Sequence, residues 1–154
     1  MHKIMFVCHG NICRSPMAEF LFKTRVQRLG IEDDFEISSS AVSRETIWNG
    51  IGEPVYPPAK ALLESLGIDC DAKRSQELTK AHGEYYDLLV CMDDSNVARA
   101  KRIVGEINAD KCVKMLSFAG IHRDVADPWY TRDFNATYED LELGIDGLLA
   151  SLGY

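Results

Sequence analysis

The sequence predicts an α/β protein in which a four-stranded parallel sheet is covered by helices on both faces. Two observations carry that expectation. Segments that read as strands recur four times, and segments with helical spacing of apolar residues lie between them. Strands that alternate with helices build parallel sheets, because each parallel connection needs a crossover. The bulk properties agree: 154 residues, 46% apolar and 27% charged, suit one domain, residues 1–154, with a substantial core.

The first run, Ile4-Met5-Phe6-Val7, reads as a buried strand. The chain then turns through Cys8–Ser15. Pro16 opens a helix whose apolar face is Ala18, Leu21, Phe22, Val26 and Leu29, with Gly30 as its stop. Phe35-Glu36-Ile37 leads into Ser38-Ser39-Ser40 as the second strand. Residues 43–58 carry Gly50, Gly52, Pro54, Pro57 and Pro58 and read as a loop. A helix over Ala59–Leu66 stops at Gly67. Asp87–Met92 is the third strand, and Asp93 or Asp94 caps a helix that runs through Arg102. Val113–Phe118 is a short fourth strand. Residues 119–136, which include Asp127-Pro128-Trp129-Tyr130, read as a long irregular loop. The last helix places Tyr138, Leu141, Ile145, Leu148 and Leu152 on one face, with Thr137 as its cap.

Charge and cysteine usage narrow the function classes. The formal charge of −7, from 17 basic and 24 acidic residues, argues against nonspecific nucleic-acid binding. No apolar run approaches the ~20 residues of a membrane span. Five cysteines are scattered at 8, 13, 70, 91 and 112, with no Cys-x-x-Cys pair, and His2, His9, His82 and His122 show no ligand spacing. The expectation is a cytoplasmic protein with reduced thiols, without a metal or cofactor, and monomeric.

The chemistry is concentrated in Cys8-His9-Gly10-Asn11-Ile12-Cys13-Arg14-Ser15-Pro16. This stretch sits on a strand-to-helix turn, where backbone N–H groups and the positive helix end face an anion. Ligands of parallel sheets bind at the carboxyl ends of strands, and Cys8 lies at such an end. The sulfur supplies a nucleophile, and Arg14 supplies a planar fork for two phosphate oxygens. Gly10 lets the backbone turn its N–H inward. Asn11 tolerates a positive φ and ties the loop together with its amide. The arrangement suits attack by sulfur on phosphorus.

These residues resemble the low-molecular-weight protein tyrosine phosphatases. Cys8–Ser15 matches their phosphate-binding loop throughout. Asp127-Pro128 followed by two aromatics matches their general-acid loop, and Val90–Asn96 looks like their third strand and following helix. The resemblance implies a flavodoxin-like, three-layer fold and metal-independent hydrolysis of a phosphotyrosine-containing protein through a phosphocysteine. It makes Cys8 the nucleophile, Arg14 the oxygen clamp and Asp127 the general acid. Ser15 is then the hydroxyl beside the thiolate. Ser39 matches a supporting serine, with Ser38 or Ser40 as alternatives. Ile12, Trp48, Trp129 and Tyr130 are the expected walls of a groove for an aromatic ring, with His9 at its mouth. Cys13 is either a small loop residue or the partner that traps oxidised Cys8 as a disulfide. The chain departs from the family at Lys73-Arg74-Ser75-Gln76, where a His and an Arg commonly support the serine network.

Three rivals remain. An arsenate reductase on this scaffold needs two further cysteines close together, whereas Cys70 and Cys91 are far apart in sequence. A protein-arginine phosphatase resembles the family but tends to carry Thr where this chain has Ile12. A silent phosphate-binding module has no need of an acid such as Asp127.

Overall fold

The computed structural model describes residues 1–154. Its central sheet is formed by β1 (His2–Cys8), β2 (Phe35–Ala41), β5 (Leu88–Cys91) and β6 (Cys112–Lys114), all parallel in the order β2-β1-β5-β6. The helices are α1 (Arg14–Arg28), α2 (Pro57–Ser65), α3 (Lys80–Tyr85), α4 (Asp94–Val104), α5 (Pro128–Thr131) and α6 (Phe134–Ser151). A small antiparallel hairpin, β3 (Ile47–Trp48) and β4 (Ile51–Gly52), lies between β2 and α2.

The strand period of two divides β1 between the two faces. Ile4, Phe6 and Cys8 pack with Phe22 of α1 and with Leu141 and Ile145 of α6. Met5 and Val7 face the other way, against Ala100 and Val104 of α4. Both faces are therefore covered, as parallel strands require. β1 has β2 on one side and β5 on the other, so the winding reverses at β1. That reversal opens a crevice outside its carboxyl end, where ligands of such sheets bind. Cys8 is the residue at that end. No helix is long and apolar enough to cross a membrane.

Several boundaries differ from the sequence reading, for local reasons. The loop over 43–58 contains the β3–β4 hairpin, whose turn puts Asn49 at φ 52° and Gly50 at φ 77°. Asn-Gly is a strong hairpin turn, but two-residue strands are too short to show alternation. Residues 80–85 form α3, unrecognised because its single turn buries only Gly83. The fourth strand stops at Lys114, and Met115–Ala119 winds into a 3₁₀ turn. Asp127 caps the short α5 inside the supposed irregular loop. The last helix begins earlier than read. Asp133 caps it by accepting from the Ala136 N–H, while Thr137 sits inside the helix and donates to the Ala126 carbonyl. A carboxylate is a better acceptor at that position, so the cap moves four residues upstream.

Candidate active site

The turn from β1 into α1 is built around Asn11, whose φ is 56°. A side chain other than Gly, Asn or Asp strains there. The Asn11 amide repays the conformation with three contacts. Its Nδ2 donates to Ser15 Oγ at 2.8 Å and to Ser39 Oγ at 2.9 Å, and its Oδ1 accepts the Gln76 N–H at 3.1 Å. The Asn11 N–H points at Cys8 Sγ at 3.3 Å. Ser15 Oγ lies 3.0 Å from the same sulfur. Ser15 accepts from Asn11, and its hydroxyl hydrogen has two acceptors in reach, the sulfur at 3.0 Å and the Ser40 carbonyl at 3.5 Å.

Behind this loop, Ser39 donates to Glu19, and Lys73 Nζ donates to the Ser39 carbonyl at 3.0 Å and stands 3.5 Å from Glu19. Gln76 Nε2 donates to the same carbonyl at 2.9 Å. The segment that departs from the family pattern thus supplies its own support. Burial pushes the Lys73 ammonium below its ordinary range, and Glu19 works against that. Of the three serines left open by the sequence, Ser39 is the one joined to Asn11.

Arg14 is 3% exposed and held rigidly. Its NH1 donates to Asp93 Oδ2 at 2.9 Å and to the Val125 carbonyl at 2.8 Å. The remaining guanidinium hydrogens are left for an anion. Burial opposes the Arg14 charge most strongly, but Cys8, Asp127 and Asp93 together raise its pKa. Asp127 Oδ2 lies 3.6 Å from Arg14 NH2, and its Oδ1 accepts the Trp129 N–H at 3.0 Å.

A cavity of about 450 Å³ opens over the loop. Cys8, His9, Gly10, Ile12, Cys13 and Arg14 line it from the loop, and Asp127, Trp129 and Tyr130 line it from the start of α5. The Trp129 ring is fixed by the Tyr56 ring, 4.8 Å away, and by the Arg132 guanidinium, 5.6 Å away; Arg132 also donates to the Tyr56 hydroxyl at 2.8 Å. Asn11, Ser15 and Ser39 stand behind the loop and not in the cavity. Trp48 does not join the wall. It sits 70% exposed on the β3–β4 hairpin and is not among the residues that line the cavity.

Sequence reasoning missed Asp93 as the partner of Arg14, and it missed Glu45, Thr46 and Glu53, which complete the cavity wall. Asp93 lies two residues beyond the end of β5, the neighbour of β1. The carboxyl-end rule applied to every strand flags it. No local signal marks Glu45, Thr46 or Glu53, which arrive on an irregular loop.

The model of the low molecular weight phosphotyrosine protein phosphatase family matches residues 3–154. The low molecular weight protein-tyrosine-phosphatase PtpA of Staphylococcus epidermidis is 35% identical over 150 residues, which is 97% of this chain and 92% of PtpA. The crystal structure of SP-PTP, a low molecular weight protein tyrosine phosphatase from Streptococcus pyogenes, superposes with a TM-score of 0.87 at 33% identity, covering 100% of this chain and 95% of that one. YwlE arginine phosphatase superposes with a TM-score of 0.82 at 29% identity, covering 97% of this chain and 95% of YwlE. With the phosphate loop, the acid loop and the sheet all in place, the chain belongs to the low molecular weight phosphotyrosine protein phosphatase family.

Proposed function

We propose that the protein hydrolyses phosphotyrosine in proteins, and small aryl phosphates, through a phosphocysteine. The observation that carries this reading is the convergence on one aromatic-walled cavity of Cys8 Sγ, the Arg14 fork and the Asp127 carboxyl. Cys8 Sγ attacks phosphorus, and the bond from phosphorus to the tyrosine oxygen breaks. Asp127 gives its proton to the departing phenolate. Arg14 and the loop N–H groups hold the equatorial oxygens. Asp127 then takes a proton from the water that attacks the phosphocysteine, and Cys8 leaves as a thiolate bonded to Ser15 Oγ. The residues 1–154 act as one domain, cytoplasmic and monomeric, without nucleic acid or membrane as a partner. A p-nitrophenyl phosphate assay, with and without chelator, tests the reaction.

Ile12 favours phosphotyrosine over phosphoarginine. It lines the cavity from within the loop, between Cys8 and Arg14 in sequence. An aromatic ring can rest there and against Trp129. Ile12 offers a guanidinium bonded to the phosphate no acceptor, and a donor held unpaired against that side chain, out of reach of Glu45 and Glu53, costs ~1–3 kcal/mol, about 5–150-fold. On matched peptides, phosphotyrosine is expected to exceed phosphoarginine in kcat/KM by a factor in that range, and Ile12→Thr shifts the ratio towards phosphoarginine. A wild-type preference for phosphoarginine makes the YwlE-like reading the better one.

The loop also carries its own redox partner. Peroxide converts the Cys8 thiolate to a sulfenic acid, and the Cys13 thiol displaces water from it to form a disulfide. Burial, then the charges of Cys8 and Asp127, push the Cys13 thiol up to about 12. The attacking thiolate is therefore scarce at neutral pH, and disulfide closure is expected to quicken as pH rises. Reductant restores activity in the wild type, whereas Cys13→Ser protein stays inactive after prolonged peroxide. Peptide mapping that joins Cys8 to Cys70 or Cys91 instead points to the arsenate-reductase-like rival.

A further inference from the structure

The segment between β2 and α2 brings to the cavity two carboxylates for which the hydrolysis has no use. Glu45 and Glu53 both line it. Glu45 Oε2 bonds His9 Nε2 at 3.0 Å, and Arg99 NH1 bonds His9 Nδ1 at 3.2 Å. A guanidinium only donates, so Nδ1 accepts and Nε2 carries the hydrogen given to Glu45. The Glu53 carboxylate is solvent-accessible and takes no hydrogen bond or ion pair from the chain. Its backbone, by contrast, is pinned. The Glu53 N–H donates to the Thr46 carbonyl at 2.9 Å and to Ser75 Oγ at 3.1 Å, and its carbonyl accepts the Ser75 N–H at 2.8 Å. Thr46 Oγ1 then donates to the Gly10 carbonyl at 2.7 Å, which fastens this scaffold to the phosphate loop. Gly52 permits it, since a Cβ there meets the Ser75 carbonyl at 1.9 Å.

An unpaired anion carried on a pinned backbone beside a phosphate site repels a phosphate dianion, so it opposes binding unless the substrate brings a cation of its own. Other acids of the chain are paired, as Asp124 is with Lys114 and Asp140 with Arg123. Glu53 is left open on the wall of the same cavity. We propose that Glu53, seconded by Glu45, selects phosphotyrosine peptides with a Lys or Arg adjacent to the phosphotyrosine and disfavours acidic neighbours. The inference rests on the phosphotyrosine reading and names the substrates within it. The basic side chain pairs with the carboxylates while the ring packs against Ile12 and Trp129.

The experiment compares kcat/KM on phosphotyrosine peptides that differ only in Arg, Ala or Glu on either side of the phosphotyrosine. A partly exposed ion pair predicts roughly fivefold for Arg over Ala, carried mainly by KM and reduced by added salt. Within each variant, the ratio of Arg-flanked to Glu-flanked peptide is the readout, so a general loss of activity does not enter it. Glu53→Gln is expected to bring that ratio close to one, Glu45→Gln to lower it less, and Glu53→Lys to invert it. Wild-type protein that turns over the Ala-flanked peptide but ignores its neighbours overturns this inference alone, as does a preference that survives Glu53→Gln combined with Glu45→Gln. Failure to hydrolyse any of the phosphotyrosine peptides overturns the reading beneath it.

Discussion

Cys8→Ser protein is expected to lose turnover of p-nitrophenyl phosphate by at least ~10⁴-fold while still binding inorganic phosphate. The loss has a chemical cause. Sulfur is an intrinsically strong nucleophile, whereas a serine hydroxyl needs a general base. The nearest partner of the Cys8 sulfur is the Ser15 hydroxyl at 3.0 Å, which is no base. Binding survives because the cradle belongs to other groups. The loop backbone and the Arg14 fork keep their positions through the Asn11 side chain bonded to Ser39 and Gln76 and through Asp93 and Val125. Calorimetry with phosphate and steady-state kinetics check the two halves. Hydrolysis near the wild-type rate in this variant would rule out the phosphocysteine route.

Asp127→Asn protein is expected to slow aryl phosphate hydrolysis by ~10²–10⁴-fold, with the size of the loss set by the leaving group. An amide has no acidic proton to give. A p-nitrophenolate leaves readily without one, so its hydrolysis suffers least. A phenolate like that of tyrosine is a poorer leaving group and suffers most. The variant keeps its local structure, because the Asn oxygen can still accept the Trp129 N–H that caps α5. A series of substituted phenyl phosphates measures the dependence. Equal losses across that series would remove Asp127 from the proton transfer and leave it only a contact of Arg14.

The two variants probe residues that the sequence exposes for different reasons. Cys8 and Arg14 belong to one contiguous loop, so a single stretch shows nucleophile, clamp and turn together. Asp127 lies more than a hundred residues away, and a lone Asp-Pro is an ordinary turn. Only its likeness to the family pattern singled it out. In the fold the carboxyl ends of the parallel strands gather at one edge, and the Asp127 loop crosses that edge to reach Arg14.

The sheet and the long helices were legible because burial imposes a repeat on the chain. β1 alternates between two packed faces, and α1 and α6 bury residues at helical spacing. The sequence by itself determined these elements, the Cys8–Ser15 loop and the family. The tertiary structure decided what surrounds them. It removed Trp48 from the cavity wall, moved the α6 cap from Thr137 to Asp133, and put Lys73 and Gln76 behind Ser39. It set Asp93 against Arg14 and left Glu53 facing the cavity. The physical reason is range. A repeat or a turn is written in neighbouring residues, whereas these contacts are single polar interactions between segments far apart in sequence, and they exist only once packing has brought the segments together.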